Sequence, residues 1–234
     1  MSATPIRPAS PWWAERRARY HHVAPLVLSR SVLDVGCGSA HGTQLLHDAG
    51  AASAVGVDVD VDALRLFRRR ADGARLVLGD GELLPIRSGA VDVAVAFDVL
   101  TRSARPEALV DELRRTVRPG GTAFVSVPNA AWEAAAGRTA SWPPAPAMDP
   151  DAAARLARRA FDNVDLFGQT AARPSVWDDR PRSRWRRLVD RAPDGLTERT
   201  SRLVRNRPLH PGEHEFRFAP LRATRPHVVL LVCR

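Results

Sequence analysis

Apolar runs with the character of β-strands alternate with helical segments over the first half of the chain, and this alternation limits the fold more than any other feature. Five runs are predicted as strands, at residues 31–35, 54–57, 75–78, 91–97 and 122–127. Helices are predicted between them at 42–49, after an N-cap at Asp60, and from Pro106 to the Pro-Gly-Gly turn at 119–121. Strands that alternate with helices build a parallel sheet with helices on both faces. The chain is therefore predicted to be an α/β protein.

The flanking segments are predicted to complete the same fold. Residues 1–30 are interpreted as an N-terminal arm and a helix, because Trp13, Arg16, Tyr20 and Val23 recur at spacings of three and four. Residues 31–168 form the predicted core, which also includes a helix at 151–160 and a strand at 164–167. Residues 169–226 are rich in Arg and Pro and are predicted to be an insertion or lid with one helix near 185–189. Residues 227–234 are predicted to return to the core as its last strand.

A glycine-containing turn after the first strand marks the place where a ligand is expected. The strand leads through Asp34 to Gly36 and Gly38, and a helix follows directly. Glycine lets the backbone turn tightly and approach a ligand closely, since no Cβ intervenes. The dinucleotide fingerprint Gly-x-Gly-x-x-Gly is not matched, because its third glycine would fall on His41. The carboxylate of Asp34 also suits an ammonium group better than a pyrophosphate.

Further acids follow the next three strands. Asp58 comes about 20 residues after the glycine turn, a spacing at which an acid accepts hydrogen bonds from ribose hydroxyls. Asp80 follows the third strand and is placed to accept from an exocyclic amine, and Asp98 follows the fourth. Ligands of open α/β sheets bind at the carboxyl ends of the strands. The four acids are therefore expected to line one binding crevice.

Residues 32–129 resemble the class I S-adenosylmethionine-dependent methyltransferases. The run Val-Leu-Asp-Val-Gly-Cys-Gly at 32–38 is similar to their first motif, although the third glycine of that motif is Ala40 here. Gly-Val-Asp-Val-Asp at 56–60 resembles their second acidic loop, and Gly-Asp-x-x-x-Leu-Pro at 79–85 resembles their adenine loop. The strand at 91–95 and the helix and turn at 113–121 are also similar. The resemblance implies a Rossmann-like, doubly wound sheet of seven strands, mostly parallel, with an antiparallel last strand.

S-adenosylmethionine is the cofactor that this resemblance implies. Gly36 and Gly38 would line its methionine part, Asp34 would hold the ammonium group, often through water, and Phe97 would lie beside the sulfonium. Asp58 would accept from the ribose hydroxyls. The remaining assignments to cofactor binding are Val59 in the second loop, Asp80 and Gly81 at the adenine amine, and two residues of the N-terminal helix, Arg19 and Tyr20.

Arg19 and Tyr20 are assigned through a looser resemblance to a subset of the family that is linked to glycan and small-molecule methylation. By that analogy Arg19 reaches the cofactor carboxylate and Tyr20 closes over the site.

The catalytic base is not indicated by a family motif. Many members that act on small molecules carry an acid and a histidine pair after the fourth strand, whereas this chain has Asp98 and no histidine there. The Asn/Asp-Pro-Pro-Tyr run of relatives that methylate adenine or glutamine nitrogens is also missing from this position. His21 and Asp98 are the candidates for a base, and the weaker ones are His22, His41, His210 and His214.

The amino-acid composition limits which binding partners and which cellular compartment are expected. The formal charge is +9, and every one of the 35 basic residues is arginine. Acids interrupt the Arg-rich stretch at 180–207, so a solvated surface is favoured over a nucleic-acid interface. Cys37 and Cys233 suit neither a disulfide framework nor a metal site, which favours the cytoplasm. No apolar run reaches the roughly 18 residues of a membrane span.

These observations lead to one functional hypothesis and two alternatives. The first is a methyltransferase that acts on an oxygen, or less readily a nitrogen, of a small molecule or sugar. An RNA- or protein-directed methyltransferase is the second, because of the Arg-rich stretch. The third is a non-catalytic domain that keeps the cofactor site, because no histidine follows Asp98. The acceptor pocket is expected to come from residues 129–148 and 168–226.

Overall fold

The computed structural model describes residues 11–68, 73–136, 146–171, 213–221 and 226–234. Within these ranges the helices are α1 (Pro11–Val23), α2 (His41–Asp48), α3 (Val61–Arg68), α4 (Pro106–Thr116), α5 (Ala130–Ala136) and α6 (Pro150–Ala157). The strands are β1 (Ser31–Val35), β2 (Ser53–Asp58), β3 (Arg75–Leu78), β4 (Val91–Phe97), β5 (Val117–Pro128), β6 (Val164–Ala171), β7 (Phe216–Pro220) and β8 (Val228–Cys233). The predicted helix at 185–189 lies outside the described residues.

The strands form one sheet in the order β3-β2-β1-β4-β5-β8-β6-β7. The first five strands pair in parallel, and β8 runs antiparallel between β5 and β6. The doubly wound α/β sheet and its antiparallel last strand are therefore as predicted. Because β8 is antiparallel, its amino end lies at the same edge as the carboxyl ends of β1 to β5, which we call the crest.

The described part of the chain contains eight strands, so the predicted number of seven was wrong. The additional strand, β7, lies inside the segment interpreted as an insertion or lid and pairs antiparallel with β6. Only Phe216 and Phe218 suggest the alternation of a strand there, and a run of five residues with Pro220 at its end gives a weak local signal. Pairing with β6 from Phe167 to Ala171, rather than local preference, makes this run a strand.

Both faces of the sheet are buried, as expected for strands covered by helices on each side. Leu33, Ala94 and Val125 face a core that includes α4 and α6. Val32, Val93 and the neighbouring apolar residues face the second core, which contains Tyr20 of α1 and Leu46 of α2. The alternation of adjacent residues between the two cores follows the period of two of a β-strand.

Several element boundaries differ from the prediction, among them the start of β5, where tertiary pairing overrides a local turn signal, and the end of α6. Strand β5 begins at Val117, before the predicted turn at 119–121, because Val117 pairs with Val91 while Thr122 pairs with Val93. The residues between them form a bulge, and Gly120 takes a φ of 76° there. Helix α6 ends at Ala157, and its N-cap is Asp149, whose side chain accepts from the amides of Asp151 and Ala152.

No described helix has the length and apolar character needed to cross a membrane.

Candidate functional site

The crest brings together the four acids that follow successive strands of the sequence. Asp34 lies in β1 opposite Val95 of β4, and Asp58 ends the neighbouring strand β2. Asp98 follows β4 directly, and Asp80 is the second residue after β3. The structure therefore gathers these predicted site residues at one edge, as the parallel topology requires.

The glycine turn between β1 and α2 leaves room for a ligand beside Gly38. Gly36 has a φ of 71° and Gly38 a φ of 53°, a region that favours glycine. A Cβ at Gly36 would overlap the side chain of Val99, whereas one at Gly38 would meet nothing within 4 Å. Gly36 is thus needed for packing of the chain, and Gly38 presents open backbone.

Asp58 is positioned by the same turn. Its Oδ2 atom accepts from the amide of Gly38 at 2.6 Å, and its Oδ1 atom accepts from the amide of Asp60 at 2.9 Å. Asp60 in turn caps α3, as predicted, by accepting from the amides of Asp62 and Ala63. A carboxylate held by backbone amides keeps a defined orientation and retains lone pairs for hydroxyl groups of a ligand.

The loops after β2 and β3 expose apolar side chains next to polar ones. Val59 is 68% exposed and Leu83 is 76% exposed. Asp80 is exposed as well, and its Oδ1 atom accepts from the amide of Glu82 at 2.9 Å. A Cβ at Gly81 would lie 3.0 Å from the side chain of Leu109, a tight contact to which that side chain would have to adjust. Exposed apolar surface beside a carboxylate suits a flat aromatic base that carries an amine.

Asp34 is fully buried and already well supplied with hydrogen bonds. Its carboxylate accepts from the Thr43 hydroxyl at 2.7 Å and from the Tyr20 hydroxyl at 3.1 and 3.3 Å. Burial, assisted by the nearby charge of Asp58, raises the pKa of Asp34 to about 7, against the opposing effect of the two hydroxyl donors. Asp34 can therefore change its charge near neutral pH.

Tyr20 closes the crest over β1 and α2. Its ring packs edge-on against Phe97, with ring centroids 4.8 Å apart, and a Cβ at Gly42 would overlap it. Burial and the neighbouring carboxylate of Asp34 raise the pKa of the Tyr20 hydroxyl, so it remains a donor. Tyr20 thus packs beside Phe97 at the end of β4, and its covering of a bound cofactor stays a prediction.

Asp98 is held in a buried network rather than presented as a base. Arg19 donates to its Oδ2 atom at 2.7 Å and the Ser126 hydroxyl donates to its Oδ1 atom at 2.9 Å, while Arg16 lies at 3.5 Å. Burial alone would raise the pKa of Asp98, but the two arginines and the hydroxyl bring it below its usual value. A carboxylate with a lowered pKa accepts protons poorly, so the proposed basic role of Asp98 gains no support from its surroundings.

Arg19 is directed at Asp98 and not into an open crevice. It is 2% exposed, and it also donates to Gln169 of β6 at 3.2 Å and contacts Glu15 at 3.5 Å. Its guanidinium carbon lies 5.9 Å from the centre of the Phe97 ring. The expected contact of Arg19 with the cofactor carboxylate would require this network to open.

The predicted histidines within the described residues lie on α1, at the start of α2 and in the turn before β7. His21 and His214 have ring centroids 5.4 Å apart, and His22 stacks on Phe218 at 4.1 Å. His41 is exposed and its Nδ1 atom lies 2.8 Å from the Ser39 hydroxyl. His210 lies outside the described residues.

His227 was missed by the sequence reasoning, and it stands at the crest. It immediately precedes β8, and its carbonyl accepts from the amide of Asn129, which follows β5. Its Nε2 atom lies 3.5 Å from the Oε2 atom of Glu15, and the rings of Trp132 and Phe216 lie 5.6 and 6.0 Å away. The one local signal was its place at the start of an apolar strand, whereas its pairing with Glu15 joins residues from opposite ends of the chain.

Comparison with known proteins gives a domain match. Residues 33–125 match a family model described as a methyltransferase domain. A probable S-adenosylmethionine-dependent methyltransferase of Mycolicibacterium smegmatis is 32% identical over 118 residues, which cover 50% of this chain and 46% of that relative. The chain therefore spans about half the length of this curated relative. The cosubstrate that these matches imply is S-adenosylmethionine.

Solved structures share the fold over nearly the whole chain. A SAM-dependent methyltransferase from Archaeoglobus fulgidus superposes with a TM-score of 0.62 at 15% identity, covering 96% of this chain and 94% of that one. A possible histamine N-methyltransferase from Thermotoga maritima superposes with a TM-score of 0.61 at 14% identity, covering 95% and 91%. At such low identity the likeness shows the fold alone.

Proposed function

We propose that this protein is an S-adenosylmethionine-dependent methyltransferase that acts on an oxygen, in preference to a nitrogen, of a small molecule or sugar. The observation that carries the proposal is the glycine turn at the crest, with Asp34 before it and Asp58 bound to Gly38 at its side. This turn lies inside the segment that matches a methyltransferase domain.

The residues at the crest fit the parts of the cofactor. The open side of Gly38 leaves room for the methionine part of the cofactor, and Asp58 accepts from the ribose hydroxyls. The exposed Val59 and Leu83 cover the adenine near Asp80. S-adenosylmethionine supplies a methyl group that is already activated by the sulfonium. The protein is then required to position the acceptor and to exclude water, which Tyr20 and Phe97 favour by covering this side of the crest.

His227 with Glu15 supports an oxygen acceptor. A hydroxyl group is a better nucleophile when a base takes its proton, and a histidine oriented by a carboxylate is suited to this task. The 3.5 Å contact between Nε2 and Oε2 sets the orientation of the ring, and Trp132 and Phe216 provide apolar walls for an organic acceptor. In this proposal the imidazole of His227 receives the acceptor proton.

Transfer of a labelled methyl group tests the proposal. The purified protein is incubated with labelled S-adenosylmethionine and, separately, with a small-molecule and sugar extract, with RNA and with a protein extract. Label is expected in the small-molecule fraction. His227→Gln is expected to lower the rate by about 10²-fold and to remove the acid limb of its pH profile. The control His47→Gln, in the last turn of α2 and away from the crest, is expected to leave both unchanged.

Each of the two alternative functions would give a different result in this experiment. Label that enters only RNA or protein would replace the proposal by a macromolecule-directed methyltransferase. Binding of S-adenosylhomocysteine without transfer to any fraction would favour a non-catalytic domain. The Arg-rich stretch that motivated an RNA substrate lies outside the described residues.

A further inference from the structure

The loop that follows β3 reaches across the crest to helix α4. It comprises residues 79–85 and carries Asp80, the acid assigned to the adenine amine. A Cβ at Gly81 would lie 3.1 Å from Val35 at the end of β1 and 3.0 Å from Leu109 of α4. Strand β2 lies between β3 and β1 in the sheet. The loop therefore extends past β2 to the end of β1, where the glycine turn begins.

Glu82 joins this loop to the segment between β4 and α4. Its Oε1 atom accepts from the Ser103 hydroxyl at 2.7 Å and from the amide of Arg105 at 3.0 Å, and its Oε2 atom accepts from Nε of Arg105 at 2.9 Å. These bonds, with the one from Ser103 as the largest cause, lower the pKa of Glu82 to about 2, so its carboxylate is ionised near neutral pH. The side chain of Glu82 is only 12% exposed. Hydrogen bonds to an ionised acceptor are strong, so these contacts hold the loop against the segment.

The turn that presents Asp80 is built on the backbone of Glu82. The amide of Glu82 donates to the Oδ1 atom of Asp80 at 2.9 Å, and the amide of Leu83 donates to the Asp80 carbonyl at 3.1 Å. Asp80 is exposed, and Leu83 is 76% exposed. The direction of the Asp80 carboxylate therefore depends on the position of Glu82, and so does the position of the apolar side chain of Leu83.

The second half of the loop is attached to α4 by other residues. The amide of Leu84 donates to the Oε2 atom of Glu112 at 2.7 Å, and Arg115 donates to the Leu84 carbonyl at 3.1 Å. The side chain of Leu84 is buried as well. Loss of the Glu82 carboxylate should therefore loosen residues 80–83 and leave the rest of the loop in place.

We propose that Glu82 is a positioning residue for the adenine of S-adenosylmethionine. By its bonds to the segment at 103–105, it holds Asp80 in the place where the Asp80 carboxylate accepts from the adenine amine. The inference rests on the proposed function and adds to it a residue that acts on the cofactor through another side chain. Selection of adenine over a base without the amine then depends on Glu82, although its own carboxylate is engaged by bonds within the protein.

Two ligands that differ only in the base test this role. S-adenosylhomocysteine and S-inosylhomocysteine, in which a carbonyl oxygen replaces the adenine amine, are titrated by calorimetry at constant pH and salt. The wild type is expected to bind the adenosyl compound at least about tenfold more tightly, since only this compound offers Asp80 a donor at that position.

Glu82→Ala is expected to reduce this preference to less than about threefold and to weaken binding of S-adenosylhomocysteine about fivefold or more. Glu82→Gln keeps an acceptor for Ser103 but loses the charge, so its preference should lie between those of Glu82→Ala and the wild type. Asp165→Ala is the matched control, because Asp165 forms an ion pair with Arg234 at 3.0 Å near the opposite edge of the sheet. It should leave both affinities unchanged.

Thermal melts verify that each variant is folded. If Glu82→Ala does not fold, Ser103→Ala and Arg105→Met take its place, because each removes one donor to the Glu82 carboxylate. Each should lower the preference for adenine by about twofold or more.

Three results would overturn the inference and leave the proposed function standing. The first is a wild type that binds both ligands equally well. The second is a preference in Glu82→Ala equal to that of the wild type, even with weaker binding, because a purely structural role lowers both affinities alike. The third is a further loss of preference when Glu82→Ala is added to Asp80→Ala, because Glu82 would then act without Asp80. Failure of S-adenosylhomocysteine to bind the wild type would instead overturn the proposed function, and the inference with it.

Discussion

At the scale of single residues, the crest separates acids that look alike in the sequence into different chemical states. Asp34 is buried with two hydroxyl donors and has a pKa raised to about 7, whereas arginines and a hydroxyl hold the pKa of Asp98 below its usual value. Asp58 accepts from backbone amides of its own turn. The number and charge of the neighbours, rather than burial alone, decide which acid is ionised.

Cofactor affinity is expected to depend on pH through Asp34. Because the pKa of Asp34 is raised to about 7, the protein without ligand holds this acid mainly protonated below pH 7 and ionised above it. A ligand ammonium binds the ionised form better, so the affinity for S-adenosylhomocysteine should rise by up to about tenfold from pH 6 to pH 8. Calorimetric titration at several pH values measures this rise.

Asp34→Asn is the control for that pH dependence. The amide keeps the size of the side chain and an acceptor for Thr43 but cannot be charged. Its profile should be flat over the same interval. A flat profile in the wild type would show that Asp34 does not titrate against the ligand.

Asp58 is expected to contribute directly to cofactor binding. A charged acceptor contributes about 1.5–3 kcal/mol, so Asp58→Ala should weaken binding of S-adenosylhomocysteine at least about tenfold. Calorimetry on a variant shown to be folded measures this loss. Asp92→Ala is a suitable comparison, because Asp92 lies near the amino end of β4 and bonds Ser31 there. Unchanged affinity in a folded Asp58→Ala protein would remove Asp58 from the site.

At the scale of elements, helix α1 is attached to the sheet by buried polar contacts. Arg19 reaches Asp98 after β4, and the amide of Gln169 in β6 donates to the carbonyl of Glu15 at 2.8 Å. Tyr20 reaches Asp34 in β1. One helix thus contacts three strands at the crest, which makes its docking a condition for the shape of the site.

Arg19→Met tests the contribution of this attachment. The change leaves Asp98 buried with Ser126 and the more distant Arg16, and breaking a buried pair costs roughly 3–5 kcal/mol. Urea unfolding should show a loss of this size, and Arg19→Met combined with Asp98→Asn should recover part of it. Arg17→Met, which removes an arginine that lies 5.9 Å from the Trp13 ring, should cost less than about 1 kcal/mol. Equal stability of wild type and Arg19→Met would mean that Asp98 is not a buried partner of this arginine.

At the scale of the whole molecule, the sheet order places distant segments side by side. Strand β8, near the end of the chain, lies between β5 and β6 and brings His227 to the crest. Glu15 from the first described helix meets it there. The proposed cofactor side is built from residues 34–97, while the proposed acceptor side draws on both ends of the chain.

Local patterns in the sequence sufficed to predict the elements from β1 to β5 and the gathering of Asp34, Asp58, Asp80 and Asp98 at one edge. The physical reason is that periodicity, caps and glycine turns are local signals, and parallel pairing of such strands allows few arrangements. The glycine turn after β1 could also be located from the sequence, without knowledge of its backbone angles.

The direction of Arg19, the pairing of His227 with Glu15 and the formation of strand β7 depend on long-range packing that no local pattern predicts. Arg19 could point to a ligand or to Asp98, and the outcome depends on how α1 docks. The bond from Gln169 to Glu15 joins residues 154 positions apart, and no local pattern encodes such a contact. Strand β7 likewise forms because the edge of β6 offers unpaired backbone groups, which a short and weakly patterned segment can satisfy.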